Sequence, residues 1–305
     1  ATGRFAHGWA DMAAGLGLVP EIMDFGMQSP FDPGRIEDRL RADKGHEIKA
    51  VLGVHVDTAT SVRSDMPALR AAMDAAGHPA LLLADCIASL GCDRFEMDTW
   101  GVDVMITGSQ KGQMVPPGVA FVFFSPKAAA HRPERVSRYW DWAPRANPGI
   151  YSEYFNGTAP THHLYGLRAA LDMMMDEGME AIWERHAVEH WGQDGPLHLN
   201  VADPAHRSHA VTALRIGAPH GQRLRNWCEA NAGVTLGIGL GMAPPDSPER
   251  HGFFRFGHMG HVNTHMVLGL LGSVEAGLGA LDIPHTPGGV QAAIRVISAA
   301  APPAS

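Results

Sequence analysis

At 305 residues, 45% apolar and 18% charged, the chain has the composition of a globular protein, long enough for one large core or two domains. A net charge of −8 with scattered Lys and Arg argues against nucleic-acid binding, and no apolar run reaches the roughly 18 residues of a membrane span. Three cysteines without a CxxC pair make neither a disulfide framework nor a zinc site, so a reducing, cytoplasmic setting is the default expectation.

The opening stretch, ATGRFAHGWADMAAG, has no basic region ahead of an apolar run and does not read as a signal peptide; it also lacks an initiator Met. Residues 8–17 place Trp9, Met12 and Leu16 at the spacing of an amphipathic helix. Residues 19–25 read as a short strand, and 33–43 as a helix with Ile36 and Leu40 on one face. The apolar run IKAVLGVH, residues 48–55, reads as a strand covered on both sides. A helix follows over 66–76, with Asp65 as its cap and Pro67 in its first turn. ALLLAD, residues 80–85, is a second buried strand. Strand, helix, strand with short links is a βαβ unit, so the sheet is at least partly parallel and ligands are expected at the strands' carboxyl ends.

Apolar runs at 102–107 and 119–124 flank a turn-rich loop, Gly-Ser-Gln-Lys-Gly, then Pro116-Pro117-Gly118. Lys111 sits in that loop. It is one of four lysines, and the other three, Lys44, Lys49 and Lys127, lie in polar or turn-rich surroundings. Burial would lower its pKa, which an amine nucleophile needs, but an ordinary strand-end lysine fits the same residues. Asp85 ends a buried strand, where a carboxylate costs several kcal/mol unless something pairs with it. A protonated pyridine nitrogen would pair with it, and Thr58 could bond that ring's phenolic oxygen; a helix cap or a turn accounts for such an acid equally well.

Residues 127–154 are rich in Pro and aromatics and read as loop; Tyr139, Trp140 and Trp142 suggest packing or a dimer contact. A long helix is predicted over 161–177 and another over 178–190. A domain change is placed near residue 177, giving a large unit, 1–177, and a smaller α+β unit, 178–305. GIGLG, residues 237–241, follows no long strand and reads as a flexible loop rather than a dinucleotide fingerprint. His186 and His190 read as a solvated helix face, the histidines of HMGHVNTH as a site wall and a helix start, and Cys86 as a buried thiol.

The segment from His55 to Lys127 resembles the class V pyridoxal-phosphate aminotransferases, in particular the serine–, alanine– and aspartate–glyoxylate enzymes. The motifs Gly-His-Pro-Ala-Leu-Leu, Trp-Gly-Val-Asp, Gly-Ser-Gln-Lys and Pro-Pro-Gly carry it, and LYGLRAAL and FRFGHMGHVN extend it. The resemblance implies fold type I, an α/β architecture with a mostly parallel mixed sheet flanked by helices. It implies pyridoxal 5′-phosphate as cofactor, small amino acids and 2-oxo acids as substrates, and a homodimer with shared active sites. Position by position, Lys111 would hold the cofactor's aldehyde and shuttle a proton. Asp85 would hold the pyridinium proton. Thr58 would bond the ring's O3′, Ile87 and Phe5 would cover its two faces, and Gln110 would contact the phosphate. Thr158 would reach the partner subunit's phosphate, and Arg255 would bind the substrate α-carboxylate.

Departures are equally visible. Val56-Asp57 replaces the family's Asn-Glu, Ser61 replaces a glycine, and Phe155 replaces a tyrosine, with Tyr154 adjacent. The helix after His186 looks short. The family's opening segment, which supplies a phosphate cradle and an arm to the partner, has no counterpart here, so the chain as given is expected to hold cofactor weakly. A lyase or aldolase on the same fold, or a truncated inactive homologue, are the alternatives to transamination.

Overall fold

The computed structural model describes residues 1–186 and 197–300. The predicted βαβ unit is present as β1 (Ala50–Val54), α3 (Met66–Ala75) and β4 (Leu81–Asp85). Two helices precede it, α1 (Arg4–Gly15) and α2 (Pro33–Ala42), and a two-stranded ribbon, β2 (Val56–Asp57) with β3 (Val62–Arg63), lies between β1 and α3. β5 (Val104–Gly108) and β6 (Ala120–Phe124) complete a sheet of order β1-β4-β5-β6. β1, β4 and β5 run parallel, with Val54 opposite Asp85 and Asp85 opposite Ile106, while β6 is antiparallel. The carboxyl ends of three strands therefore open on one side.

Local chemistry explains the helix starts. Asp65 accepts from Ala68 N at 2.9 Å, as a cap should, and Asp32 does the same for Gly34 and Arg35. A proline follows each cap in the first turn, where its missing N–H costs nothing. Ile36 and Leu40 of α2 pack with Met66, Leu69 and Met73 of α3 and with Leu82 and Ala84 of β4 to form the first core. α1 begins four residues before its predicted start at residue 8, because its N-terminal amides are taken by a distant carboxylate that local sequence cannot reveal.

Residues 19–25 do not form the predicted strand. They take no regular structure, and their only backbone bonds to another segment among the described residues are at Ala1, whose carbonyl accepts from Phe25 N. An apolar groove separates them from the free edge of β1 and is lined by Leu18, Ile22, Val51 and Leu52. A strand exists through its pairing, so the apolar pattern alone was insufficient.

After β6 come two short helices, α4 (Pro126–Ala129) and α5 (Ala143–Ala146), a 3₁₀ turn at Tyr151–Tyr154, then α6 (Thr161–Glu177) and α7 (Met179–His186). The predicted continuation of α7 to 190, and His190 with it, lies outside the described residues. His186 corrects the expectation of a solvated face: it is buried, with Nδ1 bonded to the Ile182 carbonyl at 2.7 Å.

A second sheet, of order β7-β8-β10-β9, is antiparallel throughout. Its strands are β7 (His198–Leu199), β8 (Val211–Arg215), β9 (Gly237–Ile238) and β10 (Phe253–Gly257). Helix α8 (His220–Trp227) and helix α9 (Thr264–Ala280) cover it, burying Leu214, Leu224, Phe254, Val274 and Leu278; α10 (Gly289–Ala300) follows. β9 is a correction too. Gly237 and Ile238, read as flexible loop, pair with Arg255 and Phe254 of β10. A Cβ on Gly237 would lie 3.2 Å from that of Arg255, so the glycine lets the two strands close up.

Candidate active site

The carboxyl ends of β1, β4 and β5 present His55, Asp85 and the loop carrying Lys111. That loop is held from several sides. Ser109 Oγ donates to the Pro116 carbonyl at 2.7 Å, and Gln113 Nε2 donates to the Leu90 carbonyl at 3.1 Å. Gly112 presses directly on the same carbonyl; a Cβ there would meet it at 2.1 Å. Lys111 is thereby fixed beside Asp85, and among the described residues no hydrogen bond or ion pair engages its amine. Lys49 and Lys127, by contrast, are tied to the carbonyls of His46 and Ala80.

The electrostatics favour a reactive amine. Burial lowers the Lys111 pKa, the neighbouring Arg255 cation lowers it further, and Asp85 opposes both. Burial pushes Asp85 up to about 6, against the pull of the Ile87 N–H, which donates to Oδ1 at 2.8 Å. The other carboxylate oxygen of Asp85 has no hydrogen-bond partner among the described residues, and no ion pair holds the side chain. His55, also at a strand end, is fully buried, bonded through Nδ1 to Ser89 Oγ at 2.9 Å, and driven down to about 3 by burial and by Arg63 and His209. It is a neutral wall, packed against Phe95 and Trp100.

Arg255 of β10 reaches this place from the second sheet. Nε donates to the Ile238 carbonyl at 2.6 Å, and Nη1 to the Thr58 carbonyl. Ile87 lies two residues after Asp85 and is half-buried. Phe5 is the second residue of α1, and its N–H donates to Asp57, the residue before Thr58. Gln110 is exposed, with its side chain folded over Gly108. The structure thus gathers Lys111, Asp85, Ile87, Thr58, Phe5, Gln110 and Arg255 around the ends of the first sheet. Thr158 stands apart from these contacts, exposed in the loop between the 3₁₀ turn and α6.

Residues 9–264 match the model of the family "Aminotransferase class-V". The chain is 39% identical to a serine–glyoxylate aminotransferase of Methylorubrum extorquens, over 95% of this chain and 74% of that one. The chain belongs to the class-V aminotransferases. It is also 37% identical to an L-aspartate–glyoxylate aminotransferase of Paracoccus denitrificans, over 92% of this chain and 72% of the relative. Among solved structures, ureidoglycine–glyoxylate aminotransferase from Bacillus subtilis superposes with a TM-score of 0.82 at 26% identity, covering 98% of this chain and 77% of that one.

Class-V aminotransferases work with pyridoxal phosphate, and two features of this chain fit that group. Asp85 is a half-buried carboxylate with, among the described residues, an oxygen to spare and no cation bonded to it, as a pyridinium partner should be. Lys111 is a half-buried amine with no bond of its own and a lowered pKa.

Three residues of this aminotransferase were given no structural role from sequence. Asp57 was noted only as a departure, yet it is fully buried and bonds three backbone amides. Ser61 takes the left-handed conformation, φ 61°, that suits the glycine it replaces. Asp93, also fully buried, accepts from the His209 amide at 3.0 Å and Ser208 Oγ at 3.3 Å, and lies 3.9 Å from Arg63, tying the two sheets' surroundings together. An acid between two buried apolar segments is the signal that could have found Asp57 and Asp93.

Proposed function

We propose that this chain transfers the amino group of a small L-amino acid, serine, alanine or aspartate, to glyoxylate or a similar 2-oxo acid. The observation that carries the reading is the pair Asp85 and Lys111, a half-buried acid beside an amine whose charge is disfavoured, neither in an ion pair among the described residues, at neighbouring strand ends. The relatives that act on glyoxylate support the choice of acceptor.

Pyridoxal phosphate, when bound, supplies an aldehyde that carries the amino group and a ring that withdraws electrons from the substrate's α-carbon. This chain's residues do the rest. Lys111 Nζ, with its pKa lowered, takes the proton from that α-carbon and returns it, as a general base near neutral pH must. Asp85 holds a proton at the ring nitrogen through its free oxygen. Thr58 offers its hydroxyl to the ring's O3′, Ile87 and Phe5 cover the two faces, and Gln110 faces the phosphate. Arg255 spends two donors on the Ile238 and Thr58 carbonyls and keeps Nη2 for the substrate α-carboxylate.

The same proposal includes a homodimer in which Thr158 completes the partner's phosphate site. The exposed aromatics around it support this: Tyr151 is 62% exposed, Tyr154 54% and Tyr165 79%. It also keeps a cofactor unit, 1–177, and a smaller unit, 178–305, for which the two separate cores speak. No helix among the described residues is long and apolar enough to cross a membrane, and the three buried free thiols suit the reducing, cytoplasmic setting we assign.

Borohydride treatment of the cofactor-loaded protein, followed by peptide mapping, tests the reading. Pyridoxyl should be found on Lys111. Label on Lys44, Lys49 or Lys127 instead would overturn it.

A further inference from the structure

Two distant pieces of chain meet on one carboxylate. Asp57, the last residue of β2, has no exposed surface. Its Oδ2 accepts from the amides of Phe5 at 2.9 Å and Ala6 at 3.3 Å, and its Oδ1 accepts from Ala59 N at 3.0 Å. The first bonds close the N-terminus of α1, which has no cap of its own because Gly3 carries no side chain. Gly3 also admits the carboxylate: a Cβ on it would lie 2.6 Å from Asp57 Cγ. The second bond closes a turn around Thr58.

What these bonds hold is the candidate site. Phe5 bears the ring assigned to one cofactor face, and Thr58, inside the turn, bears the hydroxyl assigned to the ring's O3′. We propose that Asp57 is a positioning residue: through the amides of Phe5 and Ala59, its carboxylate fixes the Phe5 ring relative to the Thr58 hydroxyl. This rests on the pyridoxal-phosphate reading above.

A carboxylate suits the task because both oxygens accept, whereas an amide has one accepting oxygen and one donating nitrogen. Asp57→Asn keeps the size but turns an N–H₂ toward one set of donors, so half of the clamp opens. Gly3→Ala leaves the carboxylate and displaces it. Thr60 provides a control. Its Oγ1 donates to the Thr2 carbonyl at 3.1 Å, tying the same two segments without touching the carboxylate.

Titrating the cofactor-stripped chain with pyridoxal phosphate, and recording the circular dichroism of the bound cofactor, tests the clamp. Asp57→Asn and Gly3→Ala should each weaken binding by roughly 10–100-fold and alter the dichroic band per bound cofactor. Thr60→Val should lower Tm but leave affinity within about twofold and the band unchanged. In a Phe5→Leu background, Asp57→Asn should lose most of its effect on affinity, because the two act through one contact. An Asp57→Asn protein with wild-type affinity and band overturns the proposal, as does Thr60→Val behaving like Asp57→Asn, or full additivity with Phe5→Leu. If Asp57→Asn does not fold, Gly3→Ala is judged by the same criteria. A wild-type chain that binds no pyridoxal phosphate overturns the cofactor reading itself, and is seen before any variant is made.

Discussion

Arg255 Nη1 donates to the carbonyl oxygen of Thr58 at 2.5 Å, joining the second sheet to the turn after β2 across 197 positions of sequence. With Nε held by Ile238, the guanidinium is fixed from two sides before any substrate arrives. Its charge is half-buried, and burial lowers its pKa while Asp57 opposes the shift. A cation anchored in this way is oriented for a planar carboxylate at little entropic cost.

Arg255→Lys keeps the charge but cannot hold two carbonyls and a carboxylate together. The expected loss in kcat/KM for the amino donor is about 2–4 kcal/mol, with cofactor content unchanged. Steady-state kinetics beside cofactor absorbance checks it. A parallel loss of cofactor would make Arg255 a strut between the sheets rather than a substrate ligand.

Asp85 makes a prediction about pH. Its folded-state pKa is raised from 3.8 to about 6, so its stabilising contribution is full below about 4 and is lost as pH rises through about 6. A shift of this size is on the order of 3 kcal/mol against the cofactor-free fold at neutral pH. Asp93 is raised in the same direction and adds a slope of its own. Asp85→Asn should therefore be more thermostable than the wild type at pH 7 without cofactor, and equal to it near pH 4. With cofactor it should lose several orders of magnitude in turnover, about 4–6 kcal/mol of barrier. Melting curves at the two pH values decide the first part. An Asn variant no more stable at pH 7 would mean that Asp85 carries no penalty for the cofactor to relieve.

The parts legible in the sequence were those written locally. Asp65 and Asp32 as caps, the apolar runs of β1, β4 and β5, and the loop between β5 and β6 all follow from residues within a few positions of one another. What was not legible depends on contacts far along the chain. α1 starts at Arg4 because Asp57 receives its amides, residues 19–25 have no strand partner among the described residues, and β9 exists only because β10 lies beside it. His186 was misread because its burial comes from the fold rather than from its own helix pattern.

Ser61 tests the link between the sheets' surroundings. Its backbone is left-handed, which costs a non-glycine residue about 1–2 kcal/mol. Its hydroxyl accepts from the buried amide of Ala213 at 3.2 Å, and leaving that donor without a partner costs about 1–3 kcal/mol. Ser61→Gly relieves the first cost and incurs the second, so its stability should lie close to the wild type or slightly below. Ser61→Ala keeps the strain and loses the bond, and should be the least stable of the three. Thermal melts that rank Ser61→Ala above Ser61→Gly would show that the left-handed backbone carries no cost here, and Ser61→Ala as stable as the wild type would show that the hydroxyl contributes nothing.

The aromatic surface around Thr158 bears on assembly. Trp140 is 69% exposed and Tyr154 54% exposed, in a segment whose threonine touches none of the other site residues. Exposed apolar area of this kind is normally covered by a partner, and a twofold dimer is the simplest closed arrangement that lets each chain lend Thr158 to the other. Trp140→Glu and Tyr154→Glu place a charge on that surface, far from either core. Neither change should lower the stability of the isolated subunit by more than about 0.5 kcal/mol. Both should shift the protein from dimer to monomer in sedimentation and weaken pyridoxal-phosphate binding, because each site would lose its borrowed threonine. Thr158→Val should weaken binding without changing the sedimentation coefficient. Charged variants that remain dimeric with full cofactor content would place the interface elsewhere, and a Thr158→Val protein with unchanged affinity would remove the threonine from the site.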